Sequence, residues 1–216
     1  MTITLSDLKT EVLTILGDSG SAKYSDALLT EAFIQALSTF DKFLPQVSTA
    51  TLILATTTDE VSLASILTNC IKVISIEPTI WTKVIPPYYV FFKAGVPWVK
   101  FLGSYVRVVG QTFRVIYSCS NTIAGLGTAA TSTIADNFLP LLVRGVVSFA
   151  KQFRVNALSE KTGTSEYLIK ELQEESEKEK IAYLSDLATQ MMSLKTYQPE
   201  LAPYHEPDPY PTGFTI

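Results

Sequence analysis

Residues 1–45, MTITLSDLKTEVLTILGDSGSAKYSDALLTEAFIQALSTFDKFLP, decide the reading of this chain. Leu5, Leu8, Val12, Ile15 and Leu16 recur at helical spacing and predict a short first helix. Gly17-Asp18-Ser19-Gly20 ends it, because glycine and short polar side chains favour turns over helix. Tyr24-Ser25-Asp26 then puts a capping group ahead of the next run. Leu29, Phe33, Leu37, Phe40 and Phe43 share one face of a second helix. Pro45 pushes Leu44 out of helical geometry and closes the pair.

Beyond this pair the period drops to two. Thr49, Thr51, Ile53 and Ala55 alternate with Ala50, Leu52 and Leu54, and Thr56-Thr57-Thr58-Asp59 turns. Val61 to Leu63 reads as a short strand, and Ile71 to Ile76 as another that ends before Pro78. Pro86-Pro87 and Pro97 divide an aromatic region that holds Tyr88, Tyr89, Phe91, Phe92 and Trp98. Tyr105–Val109 and Thr112–Tyr117 around Gly110-Gln111 predict a hairpin. Short strands at this spacing predict an antiparallel sandwich or barrel. Ser120 to Thr133, small and polar with Gly125 and Gly127, reads as a surface loop or a flexible arm.

Helix returns at residue 136. Asp136 is placed to cap, Pro140 is tolerated in a first turn, and Leu141, Leu142, Val146, Phe149, Phe153 and Leu158 follow. Gly145, Ser148 and Ala150 are small enough to admit another helix closely. After Lys161-Thr162-Gly163, Thr164 or Ser165 caps a last helix running to about Leu194, with Leu168, Leu172, Ile181, Leu184 and Leu187 as its expected apolar seam. Its charge run, Lys170 to Lys180, reads as a solvated face, while Met191, Met192 and Leu194 offer a partner contact. The final 18 residues hold five of the eleven prolines, interleaved with Tyr204, Tyr210 and Phe214. Pro207-Asp208-Pro209-Tyr210-Pro211 excludes helix and central strand. Disordered tails are poor in aromatics, so an extended partner-binding arm is favoured over a solvated tail.

The fold class read from these residues is α+β. An N-terminal helical pair (1–45) and long C-terminal helices (135–196) form a bundle. A β-rich insert (46–134) of sandwich or barrel type interrupts them, and an extended Pro/Tyr-rich arm (197–216) follows. Apolar residues make up 47% and charged residues 18% of the 216-residue chain, against roughly a quarter charged in soluble domains. That deficit points to surface covered by other subunits. A net charge of −4 excludes a strongly basic nucleic-acid binder, though not a wall that DNA slides past. The longest apolar candidate, Phe138 to Ala150, is cut by Pro140 and Arg144, so no membrane span is expected. Residue 1 onward shows no secretory pattern, and synthesis in a cytoplasm is expected. Cys70 and Cys119 read as buried free thiols.

Catalytic chemistry is not expected. His205 is the single histidine and lies on the strap, a poor place for a triad. Cysteines and histidines have no metal spacing, and Gly125-Leu126-Gly127 is too short for a phosphate cradle. Asp59 and Glu60 are neighbours on a turn and point different ways, which rules against a glycosidase pair. No catalytic, cofactor or metal residue is therefore assigned. Lys72, Lys83, Lys93, Lys100, Arg107 and Arg114 read as solvated sheet residues, with a DNA-facing or inter-subunit role as the second reading.

Together these residues resemble the head-tail connector adaptors of tailed bacteriophages. The likeness rests on Leu5, Leu8, Val12, Leu16, Gly17 and Asp18, then Tyr24-Ser25-Asp26, Leu29, Ala32, Ala36-Leu37, Phe40 and Pro45. Val115-Ile116-Tyr117 before a polar loop, and Leu141 to Val147 opening a helix, extend it to about two thirds of the chain. The resemblance implies a virion neck protein, made in the bacterial cytoplasm, that forms a homo-oligomeric ring of about twelve subunits under the portal protein. Such a ring extends the channel for double-stranded DNA without reading its sequence, and it offers a platform to the next neck or tail terminator protein. It implies no cofactor and no membrane. The C-terminal segment of such adaptors docks on the portal, which makes Tyr197, Tyr204, Pro207, Tyr210 and Phe214 the expected portal-binding residues. Two other readings remain: a different neck, tail-completion or baseplate component, and a carbohydrate-binding module using Tyr88 to Trp98. Deleting Gln198–Ile216 is expected to leave the remainder folded while weakening partner binding. A large drop in melting temperature with partner affinity unchanged would reverse that assignment.

Overall fold

The computed structural model describes residues 3–79, 87–102, 108–161, 163 and 165–197. The chain divides into two compact units. One joins Met1–Val47 to Ser118–Met191, and the other is built on Ser48–Tyr117. The mixed α+β class holds, with helices drawn from both ends of the chain around a β insert.

In the first unit, α1 (Leu5–Ile15) opens with a capping box. The Thr4 hydroxyl accepts from Asp7 N at 3.3 Å, and the Asp7 carboxylate accepts from Thr4 N at 3.0 Å. Gly17, at φ 63°, ends the helix. Its N–H reaches Thr14 O and the Asp18 N–H reaches Leu13 O, the double bond of a Schellman stop. Leu5, Leu8 and Val12 are buried, but Ile15 is 58% exposed. It lies in the last turn, where the apolar period outruns the face that α1 packs.

Asp18 governs the turn that follows. Its carboxylate accepts from the backbone N–H of Ala22 at 3.1 Å, Lys23 at 2.8 Å and Tyr24 at 2.8 Å. Burial pushes the Asp18 carboxyl up, and the three amides with the Lys23 charge outweigh it, so its pKa lies below the ordinary value. The loop delivers Tyr24 into the core and leaves Ser25 as N-cap of α2 (Asp26–Phe43), as the sequence predicts. Leu29, Phe33, Leu37 and Phe40 form its buried face together with Ala32 and Ala36. Leu44 stands at φ −131°, ψ 58°, and the helix ends ahead of Pro45.

Residues 120–133 form a surface loop, exposed over much of 125–131 and pinned at both ends by hydrogen bonds. Asn121 donates to Asp41 and to Leu44 O, Thr122 pairs with Thr133, and Ser132 Oγ donates to Ile3 O at 2.6 Å. The small polar residues are there to satisfy buried backbone. Asp136 does not cap α3 (Leu139–Ser159): it starts a single 3₁₀ turn, Asp136–Phe138, and Phe138 occupies the N-cap.

The last helix, α4 (Glu166–Tyr197), runs antiparallel to α3. Arg144 pairs with Asp186 near one end, and Lys151 bridges Glu175 and Glu179 near the other. Between them Tyr183 lies over Gly145 and donates its hydroxyl to Ala36 O of α2 at 3.0 Å. Ser176 Oγ donates to Ser148 O at 3.0 Å. The seam of α4 keeps Leu187, with Leu172 and Leu184 half-buried, and departs from the one expected at its other positions. Ser176, Tyr183 and Leu187 are buried, whereas Leu168 and Ile181 are exposed. Small residues on α3 choose which side of α4 packs, and the aliphatic count does not.

The insert comprises β1 (Gln46–Ile53), β2 (Glu60–Ser62), β3 (Cys70–Pro78), β4 (Tyr88–Lys93), β5 (Val96–Phe101) and β6 (Thr112–Cys119). They make two three-stranded antiparallel sheets, ordered β1-β6-β3 and β2-β5-β4. The rings of Phe101 and Phe113, one from each sheet, sit 5.2 Å apart, and Tyr88 Oη accepts from Ile76 N at 2.8 Å. The sheets thus pack as a small sandwich. The hairpin expected around Gly110-Gln111 is not the one formed. Both sides of β6 are taken by β1 and β3, and Tyr105 to Arg107 lie outside the described residues. The tight hairpin is β4–β5, whose two-residue turn puts Ala94 at φ 52° and Gly95 at φ 77°. Arg114 pairs with Glu77 of β3 at 2.5 Å, and Arg107 lies outside the described residues. Cys119 is buried and Cys70 half-buried, both as free thiols.

A Cβ on Gly145 would stand 2.5 Å from Tyr183 Cζ. Gly145→Ala is expected to cost about 1–3 kcal/mol in urea unfolding, the range for overpacking, and Tyr183→Phe about 1 kcal/mol. Unchanged stability of Gly145→Ala would rule out the close approach. Asp18 titrates lower folded than unfolded, so its contribution is complete above the unfolded value of about 3.9 and lost as pH falls through the folded one. Asp18→Asn should therefore melt lower than the parent at neutral pH, with the gap closing in acid. A gap independent of pH would refute the role of the charge.

Candidate interaction surfaces

Two surfaces stand out, one on each unit. The first is the outer side of α4. Tyr167 is 76% exposed, Ile181 68% and Met192 64%. They lie fourteen and eleven residues apart, each close to a whole number of turns at about 3.6 residues per turn, and so share one stripe. Ser176, Tyr183 and Leu187 fall on the opposite side and hold the helix down. An apolar stripe set among Glu171, Glu174 and Lys178 is a surface suited to another protein.

The second surface is one face of the β2-β5-β4 sheet. Tyr89 pairs in register with Lys100, Phe91 with Trp98 and Lys93 with Val96, while Glu60 pairs with Lys100 across β2. Side chains alternate along strands, so Tyr89, Phe91, Lys93, Trp98, Lys100 and Glu60 all project from the same face. Val99 and Phe101 project from the other and are buried. The aromatic run is thus split: part of it feeds the core, and part forms an outward row. Tyr89 and Phe91 have ring centroids 5.6 Å apart, and Phe91 and Trp98 stack at 6.5 Å. Lys93 Nζ lies 5.2 Å over the Trp98 ring, and Lys100 pairs with Glu60 at 3.1 Å. The Glu60 hydrogen bond, then neighbouring charges, raises the pKa of Lys100.

A shallow cleft of about 260 Å³ opens beside the first turn of α3, lined by Asn137, Phe138, Pro140, Leu141, Arg144 and Asp186. It falls below the roughly 300 Å³ at which small-molecule pockets begin, and Arg144 and Asp186 neutralise each other within it. Buried ionisable groups serve structure instead. Burial, with the Asp41 charge, pushes the Tyr183 phenol well above its ordinary value and keeps it a donor. Burial lowers the Lys151 pKa, but its hydrogen bonds to Glu179 and Glu175 outweigh this and leave it raised. Among the described residues, no three His, Cys, Asp or Glu side chains lie close enough to hold a metal ion. No described helix is long and apolar enough to cross a membrane.

Of the residues expected to bind a partner, Tyr197 is the last residue of α4. Tyr204, Pro207, Tyr210 and Phe214, with His205, lie outside the described residues. Met192 of the expected partner contact is on the α4 stripe; Met191 and Leu194 are half-buried. Sequence reasoning did not find the β4–β5 row, although Ala94-Gly95 between two aromatic runs is a hairpin signal. It also passed over Tyr183 as a packing residue. No protein-family model matches this sequence, and no curated protein matches it significantly.

Ile181→Asp should leave the fold intact, with stability within about 0.5 kcal/mol of the parent, because the side chain touches solvent. A loss of several kcal/mol would show that the stripe is packed within the chain.

Proposed function

We propose that the protein is a non-catalytic virion component: a head-tail connector adaptor that closes into a ring beneath the portal, extends the DNA channel and presents a platform to the next neck protein. The observation that carries this reading is the exposed stripe of α4. A 32-residue helix is anchored by Tyr183 on one side, with Tyr167, Ile181 and Met192 left uncovered on the other. Neighbouring copies in a ring would cover it through a heterologous contact, one surface meeting a different one on the next subunit. The low charge of the chain, 18%, and the Schellman-stopped α1 followed by the Ser25-capped α2 support the same reading. The acidic balance of −4 suits a channel wall that DNA passes without being gripped. The arm, which begins after Tyr197 at the end of α4, would carry the portal contact through Tyr204, Pro207, Tyr210 and Phe214.

The test is co-sedimentation with portal assemblies encoded by the same genome, followed by electron microscopy of the pellet. A stoichiometric ring stacked on the portal is the expected result, and Ile181→Asp should bind without closing the ring. Failure to bind portal while tail-tube proteins do bind would move the protein down the neck.

A further inference from the structure

We infer that the aromatic row on the β2-β5-β4 sheet is the docking surface for the chain's own C-terminal segment, residues 198–216, in the free protein. The inference does not depend on the virion reading, since it rests on complementarity between two parts of this chain. Tyr89 is 44% exposed, and Phe91 and Trp98 continue the row at ring spacings of 5.6 and 6.5 Å. Flat, adjoining rings on a sheet form the kind of platform on which proline-rich segments lie, because prolines and rings pack face to face at little entropic cost. The platform carries a cation: Lys93 lies over Trp98, and no carboxylate pairs with it among the described residues.

The segment offers the matching chemistry. Its 19 residues include Pro199, Pro203, Pro207, Pro209 and Pro211, with Tyr204, Tyr210 and Phe214 between and after them. Its charges are Glu200, Glu206 and Asp208, with no lysine or arginine. An acidic proline–aromatic segment and a lysine-bearing aromatic platform are complementary in both charge and shape. Docking there would cover apolar rings until a partner takes the segment away, and the two binding states would compete for the same residues.

The experiment uses the full chain carrying Trp81→Phe, so that Trp98 is the only tryptophan. Replacing Tyr204, Tyr210 and Phe214 together by Ser is expected to red-shift Trp98 emission and raise its quenching by acrylamide. Lys93→Glu should do the same, and Lys93→Arg should not. A benzoylphenylalanine placed at position 210 should cross-link to the peptide spanning Tyr89 to Trp98 within one copy, and cross-links formed only between copies would overturn the inference. Unchanged emission and quenching, with cross-links elsewhere, would overturn the inference. Quenching of Trp98 by soluble oligosaccharides equally in the parent and the triple variant would overturn it too, by showing a platform open to sugars.

Discussion

Tyr183 reaches past α3 to the backbone of α2, and the helical unit depends on that reach. The phenol is fully buried, its ring lies where a Cβ on residue 145 would stand, and its hydroxyl is spent on Ala36 O. Such a contact sets distance and rotation together. Distance follows because only glycine lets the ring approach; rotation follows because the hydroxyl must find one carbonyl. Ser176 repeats the device one and a half to two turns earlier in α4, donating to Ser148 O. The charge-rich helix α4 has little apolar surface of its own to bury, so these polar-tipped contacts decide which side faces inward. The outward stripe of Tyr167, Ile181 and Met192 is the mirror consequence. Turned by a third of a revolution, the helix would hide it.

What was legible in the sequence was local. Gly17, Ser25 and Pro45 act within a few residues of themselves, so the first helical pair could be read closely, down to its caps. Small residues on α3 announced a close helix contact, although the sequence did not say which side chain would come. The α4 seam was misread because Leu168 and Ile181 satisfy an apolar period as well as Tyr183 does, and only the position of Gly145 breaks the tie. Strand pairing failed for the same reason. Gly110-Gln111 and Ala94-Gly95 are both turn signals, but the partner of β6 is fixed by β1 and β3, far away in sequence. Of the proposed interaction surfaces, the proline-rich segment was readable from composition. The aromatic row was not, because it exists only once β4 and β5 are in register.

The insert is placed so that it costs the helices little. The chain enters it along β1 and leaves along β6, and these two strands are neighbours in one sheet. Adjacent strands lie about 4.8 Å apart, so entry and exit stay close together. Gln46 and Cys119, at the outer ends of the two strands, have side chains 3.8 Å apart. A unit whose two ends meet can be added between two helices without prising them apart, which is why such insertions are tolerated. The ordered stretch 120–133 then returns the chain to the helices through Asn121, which joins the end of α2 by bonds to Asp41 and Leu44 O.

The two exposed surfaces have different chemistry, and that difference bears on the proposed assembly. The α4 stripe holds three separated side chains, Tyr167, Ile181 and Met192, interrupted by charges, and offers no contiguous patch of the size that drives aggregation. Contact through it is weak for one pair of subunits. In the proposed ring the contact would be multiplied, and a template that holds subunits at high local concentration would make it effective. The aromatic row is the opposite case: three adjoining rings, Tyr89 exposed and Phe91 and Trp98 half-buried, with Lys93 over the last. The inferred docking of residues 198–216 would cover it in the free protein. On the proposed reading, weak repeated contacts would serve assembly, and the inferred self-docking would keep the aromatic row covered until a partner competes for the segment.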